Sequence, residues 1–402
     1  MKDAVPAPQS SPRVTSVDAL RGLVMIIMAL DHTRDFFHSG AMTFQPEDLT
    51  RTTAVLFFTR WITHFCAPVF MFTAGLGAWL WMYGGAHRGR TKSELSAFLW
   101  TRGLWLVVLE LTVLRFAFYF SLTEGSVMLT ILWALGWSMV ALGFLVHFPI
   151  RILAPLSIAV IALHNLTDSI RAAQFGGAAW IWNILHQNGA FRVRGALVLV
   201  AYPLVPWIFV MAAGFCFGPI LALAPTLRRW WMIRIGLGMT LAFLVIRAIN
   251  IYGDPVRWST KIPGMTVLSF LRTTKYPPSL DFLLMTLGPA LLLMAFFDRL
   301  TFSKTNPLIV FGRVPLFYFL LHFLLIHVLT IPFALVHYGR AAFLLNPTPN
   351  MGGPANLYPP GYGYPLWVVY AVWVSVVVVL YPVCLWFARV KARRRDWWLG
   401  YL

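Results

Sequence analysis

The sequence predicts an all-α fold, a polytopic membrane bundle of about ten transmembrane helices forming one domain over residues 1–402. Three observations carry this. Hydrophobic residues make up 59% of the chain and charged ones only 11%, a balance that excludes a soluble globule. Apolar runs of spanning length recur along the whole chain and leave no stretch for an appended soluble module. The basic residues flank those runs instead of forming a soluble, aromatic-studded face. The net charge of +18 therefore points to topology and a lipid bilayer with anionic headgroups, not to nucleic acid.

Residues 1–16 read as a short polar tail. With no small-residue cleavage site after the first apolar run, that run is expected to be an uncleaved signal-anchor helix. Spans are expected near 17–37, 54–82, 97–119, 127–147, 150–166, 196–223, 231–251, 279–298, 308–336 and 366–389. Arg88, Arg90 and Lys92 follow the second span, Arg151 the fourth, Arg228 and Arg229 the sixth, and Arg299 and Lys304 the eighth. Residues 391–402 close the chain as a basic, Trp-rich tail. If ten spans are crossed, all these cations share the side of the N-terminus, which the positive-inside rule makes cytoplasmic for both termini. The long loops 167–195, 252–278 and 337–365 then face the opposite side.

The first span carries the densest chemistry. Ser16 to His38 reads SVDALRGLVMIIMALDHTRDFFH: polar at the start, apolar from Leu23 to Leu30, then Asp31, His32, Arg34, Asp35 and His38. Ionisable groups at membrane depth are costly, and they mark sites that face the bundle interior or a water-filled cavity. Arg21 and His32, eleven residues apart, fall within roughly 20° of one helical face and about 16 Å apart along the axis. Asp31, Asp35 and His38 follow an i, i+4, i+7 pattern, and Asp35 is i+3 from His32. One carboxylate is thus expected to orient an imidazole and raise its basicity. A solvated helix end is the plainer alternative; two acids, two histidines and an arginine within residues 31–38 argue for a site.

In the second span, HFCAPVFMFTAGLGAWL places Arg60 and His64 ahead of a kink at Pro68, while Gly75 and Gly77 suit close helix approach. The third span holds Arg102 near its start and Glu110 deep inside, for which Arg102 or Arg115 is the expected partner. Before the eighth span, Pro277 and Pro278 stiffen a turn that holds Lys275 and Tyr276 at the external face. His322 and His327 in the ninth span point about 140° apart and cannot chelate one metal from a regular helix, so no metal site is expected. Cys66, Cys216 and Cys384 lie in apolar runs and read as packing residues. No phosphate loop, serine-hydrolase elbow or zinc spacing appears.

The stretches SVDALRGLVMIIMALDHTRDFFH and CAPVFMFTAG resemble the catalytic-domain family of heparan-α-glucosaminide N-acetyltransferase. KYPPSLDFLLMTLGP, FGRVPLFYFLLHFLLIH and the terminal ARRRDWW resemble its bacterial branch, so the likeness covers nearly the whole chain. The spacing from Arg21–Gly22 to His32 is also similar to that of membrane acyltransferases that O-acetylate surface polysaccharides. The resemblance implies acetyl-CoA or another acyl-CoA on the cytoplasmic side, a sugar acceptor on the other, a histidine at the site, and a bacterial inner membrane. Lysosomal members place their active histidine nearest to His38, so both histidines are carried forward, His32 with Asp31 first.

The resulting expectation is a transmembrane acyltransferase that modifies a glycan or other small acceptor. His32, His38, Asp31 and Asp35 are the catalytic candidates. Arg21, Asp18 and Arg102 are assigned to the donor, and Arg34, His64, Lys275 and Tyr276 to the acceptor. A transporter or channel with a buried Asp/Glu/His path is the main rival, weakened by the lack of internal repeats. A haem protein using facing histidines is a more distant one. The acyl group, the acceptor and the oligomeric state, a homo-oligomer included, are left open by the sequence.

Overall fold

The computed structural model describes residues 14–86, 90–122, 126–346, 348–351, 353–394 and 396–401. Most of the N-terminal tail, Arg88 and Arg395 lie outside the described residues. In chain order the α-helices are α1 (Thr15–Phe37), α2 (Ala54–Trp61), α3 (Cys66–Ala86), α4 (Lys92–Leu109), α5 (Arg115–Tyr119), α6 (Ile131–Leu145), α7 (Ile150–Leu163) and α8 (Ala179–Leu185). They continue with α9 (Leu204–Leu221), α10 (Pro225–Ile249), α11 (Thr266–Leu271), α12 (Leu280–Phe297), α13 (Pro307–Arg313), α14 (Pro315–Tyr338) and α15 (Leu366–Arg393).

Among the described residues, eight helices or continuous helical runs are long and apolar enough to cross a membrane. The chain is an all-α integral membrane bundle. Two expected spans fall outside that set for separate physical reasons. Helix α1 carries Asp18, Arg21, Asp31, Arg34 and Asp35 within its 23 residues, and α6 has only 15 residues. Helix α1 nevertheless runs through the middle of the bundle, against α3, α12, α13, α14 and α15. Its charges therefore face protein and cavity instead of lipid, the arrangement that makes them tolerable.

Small residues let the helices close in. A Cβ on Gly75 would collide with the Met211 carbonyl of α9, and one on Gly214 with the Phe72 carbonyl of α3. Gly77 faces the Arg21 side chain instead.

Three boundaries differ from the sequence expectation. The fourth span starts at Ile131, because Val127–Leu129 forms strand β1; the sixth starts at Leu204, because Ala196–Val200 forms strand β3. With β2 (Gly189–Val193) these make a small sheet in the order β1-β3-β2, β3 parallel to β1 and antiparallel to β2. Hydropathy cannot separate ALVLV as a strand from ALVLV as the start of a helix. The separating signal is the two-residue turn: Arg194 and Gly195 both have positive φ, 47° and 87°, as a tight hairpin requires. The ninth span divides at Val314 into α13 and α14, since Pro315 has no N–H to continue the first helix and instead occupies the start of the second.

Candidate active site

On α1, Arg21, Met25, Met28 and His32 recur at i, i+4, i+7 and i+11, so they form one stripe. Two cavities open along it. The proximal one, on the side where α1 begins, has a volume of about 380 Å³ and is lined by Arg21, Met25, Met28, Gly77, Arg102 and Leu135 among others. The distal one, about 720 Å³, is lined by Asp31, His32, Arg34, Asp35, Glu47, Arg60, Arg272, Lys275 and Tyr276 together with Thr130, Asn188 and Tyr202. Ile131 and Phe319 belong to both linings. The cavities are thus back to back, and His32 sits one helical turn beyond the deepest methionine of the first.

The His32 ring lies against Phe323 (4.8 Å between centroids), His322 (5.3 Å) and Phe319 (6.3 Å). Both its ring nitrogens are buried and lack a hydrogen-bond partner among the described residues. No carboxylate among the described residues hydrogen-bonds the His32 ring. Asp31 instead binds Arg34 at 3.0 Å and Arg60 at 2.6 Å, while Asp35 accepts from Arg34 at 2.5 Å and from Asn350 at 3.1 Å. Adjacent helical residues point about 100° apart, so Asp31 faces away from its neighbour's ring. In a low-dielectric interior two arginines outcompete a neutral imidazole for a carboxylate. His322 donates from Nδ1 to the Tyr318 carbonyl (2.8 Å), which leaves its Nε2 as a buried acceptor without a partner among the described residues.

The charged wall is one alternating chain: Arg34, Asp31, Arg60, Glu47, His64. Arg60 Nε donates to Glu47 at 2.8 Å, and His64 Nε2 meets the same carboxylate oxygen at 3.2 Å. Burial opposes ionisation of Glu47, but the Arg60 guanidinium and the His64 hydrogen bond outweigh it and hold the carboxyl well below the usual range. Local chain geometry puts these groups together. Residues Ile62–Phe65 tighten into a 3₁₀ turn just before Pro68, which has no N–H to bond the His64 carbonyl. His64 itself stands behind Glu47, outside the cavity lining.

Other expected residues divide between the two ends. Arg21 donates to the Thr73 carbonyl, and Arg102 to the Gly400 carbonyl in the 3₁₀ turn Trp397–Gly400, and both cations line the first cavity. Asp18 faces Arg313 at 3.8 Å and does not line that cavity. His38 lies just past α1, where its N–H closes onto the Arg34 carbonyl (2.9 Å) and the chain pairs with Tyr364. Burial, then the Arg34 cation, depress its pKa, and it is outside the distal lining. Lys275 and Tyr276 do line the cavity, and the Tyr276 hydroxyl points to that of Tyr202 at 3.5 Å.

Glu110 departs from expectation. Its carboxylate accepts from Thr130 N (2.8 Å), Thr130 Oγ1 (2.6 Å), Leu132 N (3.1 Å) and Trp133 N (3.2 Å). The partner is the N-terminus of α6, not an arginine, a match of anion to unpaired N–H groups and helix dipole. A π-helical turn, Glu110–Leu114, brings it there. Glu110 thereby fixes Ile131, half of the partition between the cavities. Glu110→Ala is expected to destabilise the fold by about 3 kcal/mol, since it strands several buried donors at once. Thermal unfolding in detergent checks this; a midpoint equal to wild type refutes it.

Glu47, Arg272, Phe319 and Ile131 are site residues that the sequence did not single out. Glu47 and Arg272 sit in polar loops that look solvated, and the others look like packing. His322, read from the sequence only as unable to share a metal with His327, packs its ring on that of His32.

The sequence model of the family described as "Heparan-alpha-glucosaminide N-acetyltransferase, catalytic" matches residues 13–253. The match includes α1 and the charged wall, and it ends before Lys275 and Phe319. No curated protein matches the chain.

Proposed function

Since the chain belongs to the heparan-alpha-glucosaminide N-acetyltransferase catalytic family, whose activity is acetyl transfer at a membrane, we propose that it carries an acetyl group from cytoplasmic acetyl-CoA to an acceptor on the opposite side. The observation that carries this reading is the place of His32, its ring nitrogens unpartnered among the described residues, at the partition between the two cavities. The proximal cavity is lined mainly by apolar side chains and suits the pantetheine arm. Arg21 and Arg102 in its lining suit the phosphates of CoA. The distal cavity's mixture of aromatic, amide, hydroxyl and charged groups suits a sugar-type acceptor.

In this reading the acceptor hydroxyl or neutral amine attacks the thioester carbonyl while His32 takes its proton. The carbon–sulfur bond breaks as the carbon–oxygen or carbon–nitrogen bond forms. The proton then passes from His32 to the departing CoA thiolate, so the base is regenerated. A neutral imidazole with a free lone pair serves this, and it contributes typically about 10²–10⁴-fold. Ile131 and Phe319 line both cavities, so the thioester and the acceptor would meet at this shared wall beside His32.

The test begins with the donor. Acetyl-CoA at about 100 times its Kd is expected to stabilise the purified protein by about 2.7 kcal/mol, seen as a raised melting temperature. Arg21→Ala and Arg102→Ala are expected to shrink that shift at fixed acetyl-CoA. Absence of any shift at saturating acetyl-CoA or longer acyl-CoA would remove the donor assignment.

A further inference from the structure

An imidazole that works as a base through one nitrogen keeps an N–H on the other. When the ring is buried, that N–H needs an acceptor, and leaving it without one is costly, most of all once the ring is charged. Both nitrogens of His32 are buried and unbonded among the described residues. Three rings lie against it, Phe319, His322 and Phe323, and of these only His322 has a polar atom to offer.

His322 is held in the form an acceptor requires. It is fully buried on α14. Its Nδ1 stands 2.8 Å from the Tyr318 carbonyl, a contact that is attractive only when Nδ1 carries the hydrogen. Nε2 is then a lone pair with no partner among the described residues. Stacking on Tyr318, with 4.9 Å between centroids and 18° between planes, fixes the plane of the ring. The His32 and His322 centroids are 5.3 Å apart. Two imidazoles joined edge to edge by an N–H···N bond of about 2.9 Å have centres roughly 5 Å apart. The pair therefore stands at bonding separation. His322 also lies outside residues 13–253, so the family match does not reach it.

We propose that His322 is a positioning residue for His32. A turn of the His32 ring gives its N–H to Nε2 of His322, which fixes the tautomer and aims the other nitrogen's lone pair at the reacting hydroxyl or amine. The proposal rests on the reading of His32 as the base. The proton taken from the acceptor goes onto that free nitrogen and leaves with the CoA thiolate, while the hydrogen between the two rings stays in place. A neutral imidazole gives this support without adding a second charge among Phe319 and Phe323, where burial would penalise it.

The experiment uses the full-length protein in detergent with histidine isotope-labelled at the ring nitrogens. NMR is expected to show a scalar coupling between two ring nitrogens across an N–H···N bond, lost in His32→Gln and in His322→Phe alike. His322→Phe keeps a ring on Tyr318 but no acceptor. With acetyl-CoA and glucosamine as the probe acceptor, its kcat should fall about 10–100-fold, the span for losing a hydrogen bond to a charged group, with KM for acetyl-CoA unchanged. His322→Gln, whose amide oxygen stands where Nε2 stood, should recover to within about threefold of wild type. Wild-type protein without the coupling overturns the proposal, as does His322→Phe with wild-type kcat. Equal losses in the Phe and Gln variants, with a lowered unfolding midpoint in both, overturn it too and leave His322 a packing residue. The coupling needs no turnover, so the two readings fail separately. A protein that shows it but is not stabilised by acetyl-CoA loses the acetyltransferase reading and keeps the paired histidines.

Discussion

His32→Ala is expected to lower turnover by about 10³-fold, within the range for removal of a general base, while acetyl-CoA still raises the melting temperature as in wild type. The separation follows from position. The proximal cavity, proposed to hold the donor, is bounded by Arg21, Met25 and Met28 on the same stripe of α1, and His32 lies outside its lining. Turnover and donor binding therefore report on different residues of one helix. His32→Gln, which keeps a polar side chain of similar reach but no base, should fall as far as Ala. His38→Ala is expected to lose less than tenfold, because that ring stands at the chain crossing with Tyr364 and not in the distal lining. Near-normal acetyl transfer by His32→Ala, with His38→Ala inactive, would return the role of base to His38.

How far the sequence reaches is visible in these same residues. Helical periodicity alone placed Arg21 and His32 on one stripe, and the structure puts them at successive cavities along it. It also made α1 the organising helix, since only interior helices tolerate such charges. What periodicity misses is the partner of each charge. Asp31 was paired with His32 by proximity in sequence, yet its partners come from α2 and from one turn along α1. Glu47 lies in QPEDLT, a stretch that composition reads as solvated, and nothing local says that it folds in against Arg60. Glu110 reads from the sequence as the partner of an arginine, whereas its carboxylate is met by the unpaired N–H groups and partial positive charge of a helix N-terminus, a partner that has no letter in the sequence. The apolar strand β3 was absorbed into a helix for a related reason: pairing across the chain, not composition, decides it.

Arg60→Leu should have the largest effect on folding, about 3–5 kcal/mol, because it removes one partner from each of two buried ion pairs. Arg60 is buried, with a side chain only 10% exposed, and bonds Asp31 and Glu47 simultaneously. Without it Asp31 keeps Arg34, but Glu47 keeps only His64, an imidazole that would have to take up a proton to neutralise it. The leucine fills much of the volume, so the loss is electrostatic more than a packing defect. Two further variants separate these causes. Arg60→Lys retains the charge but not the forked geometry, and it should cost less than Leu while still losing one of the two contacts. Arg60→Leu combined with Glu47→Leu removes the stranded carboxylate along with the cation, and it should recover part of the stability lost by the single change. The measurement is the unfolding midpoint of purified protein in detergent, converted to free energy relative to wild type. If the double variant is less stable than Arg60→Leu, Glu47 stabilises the fold without its arginine and the alternating charge chain is not what holds the distal wall together.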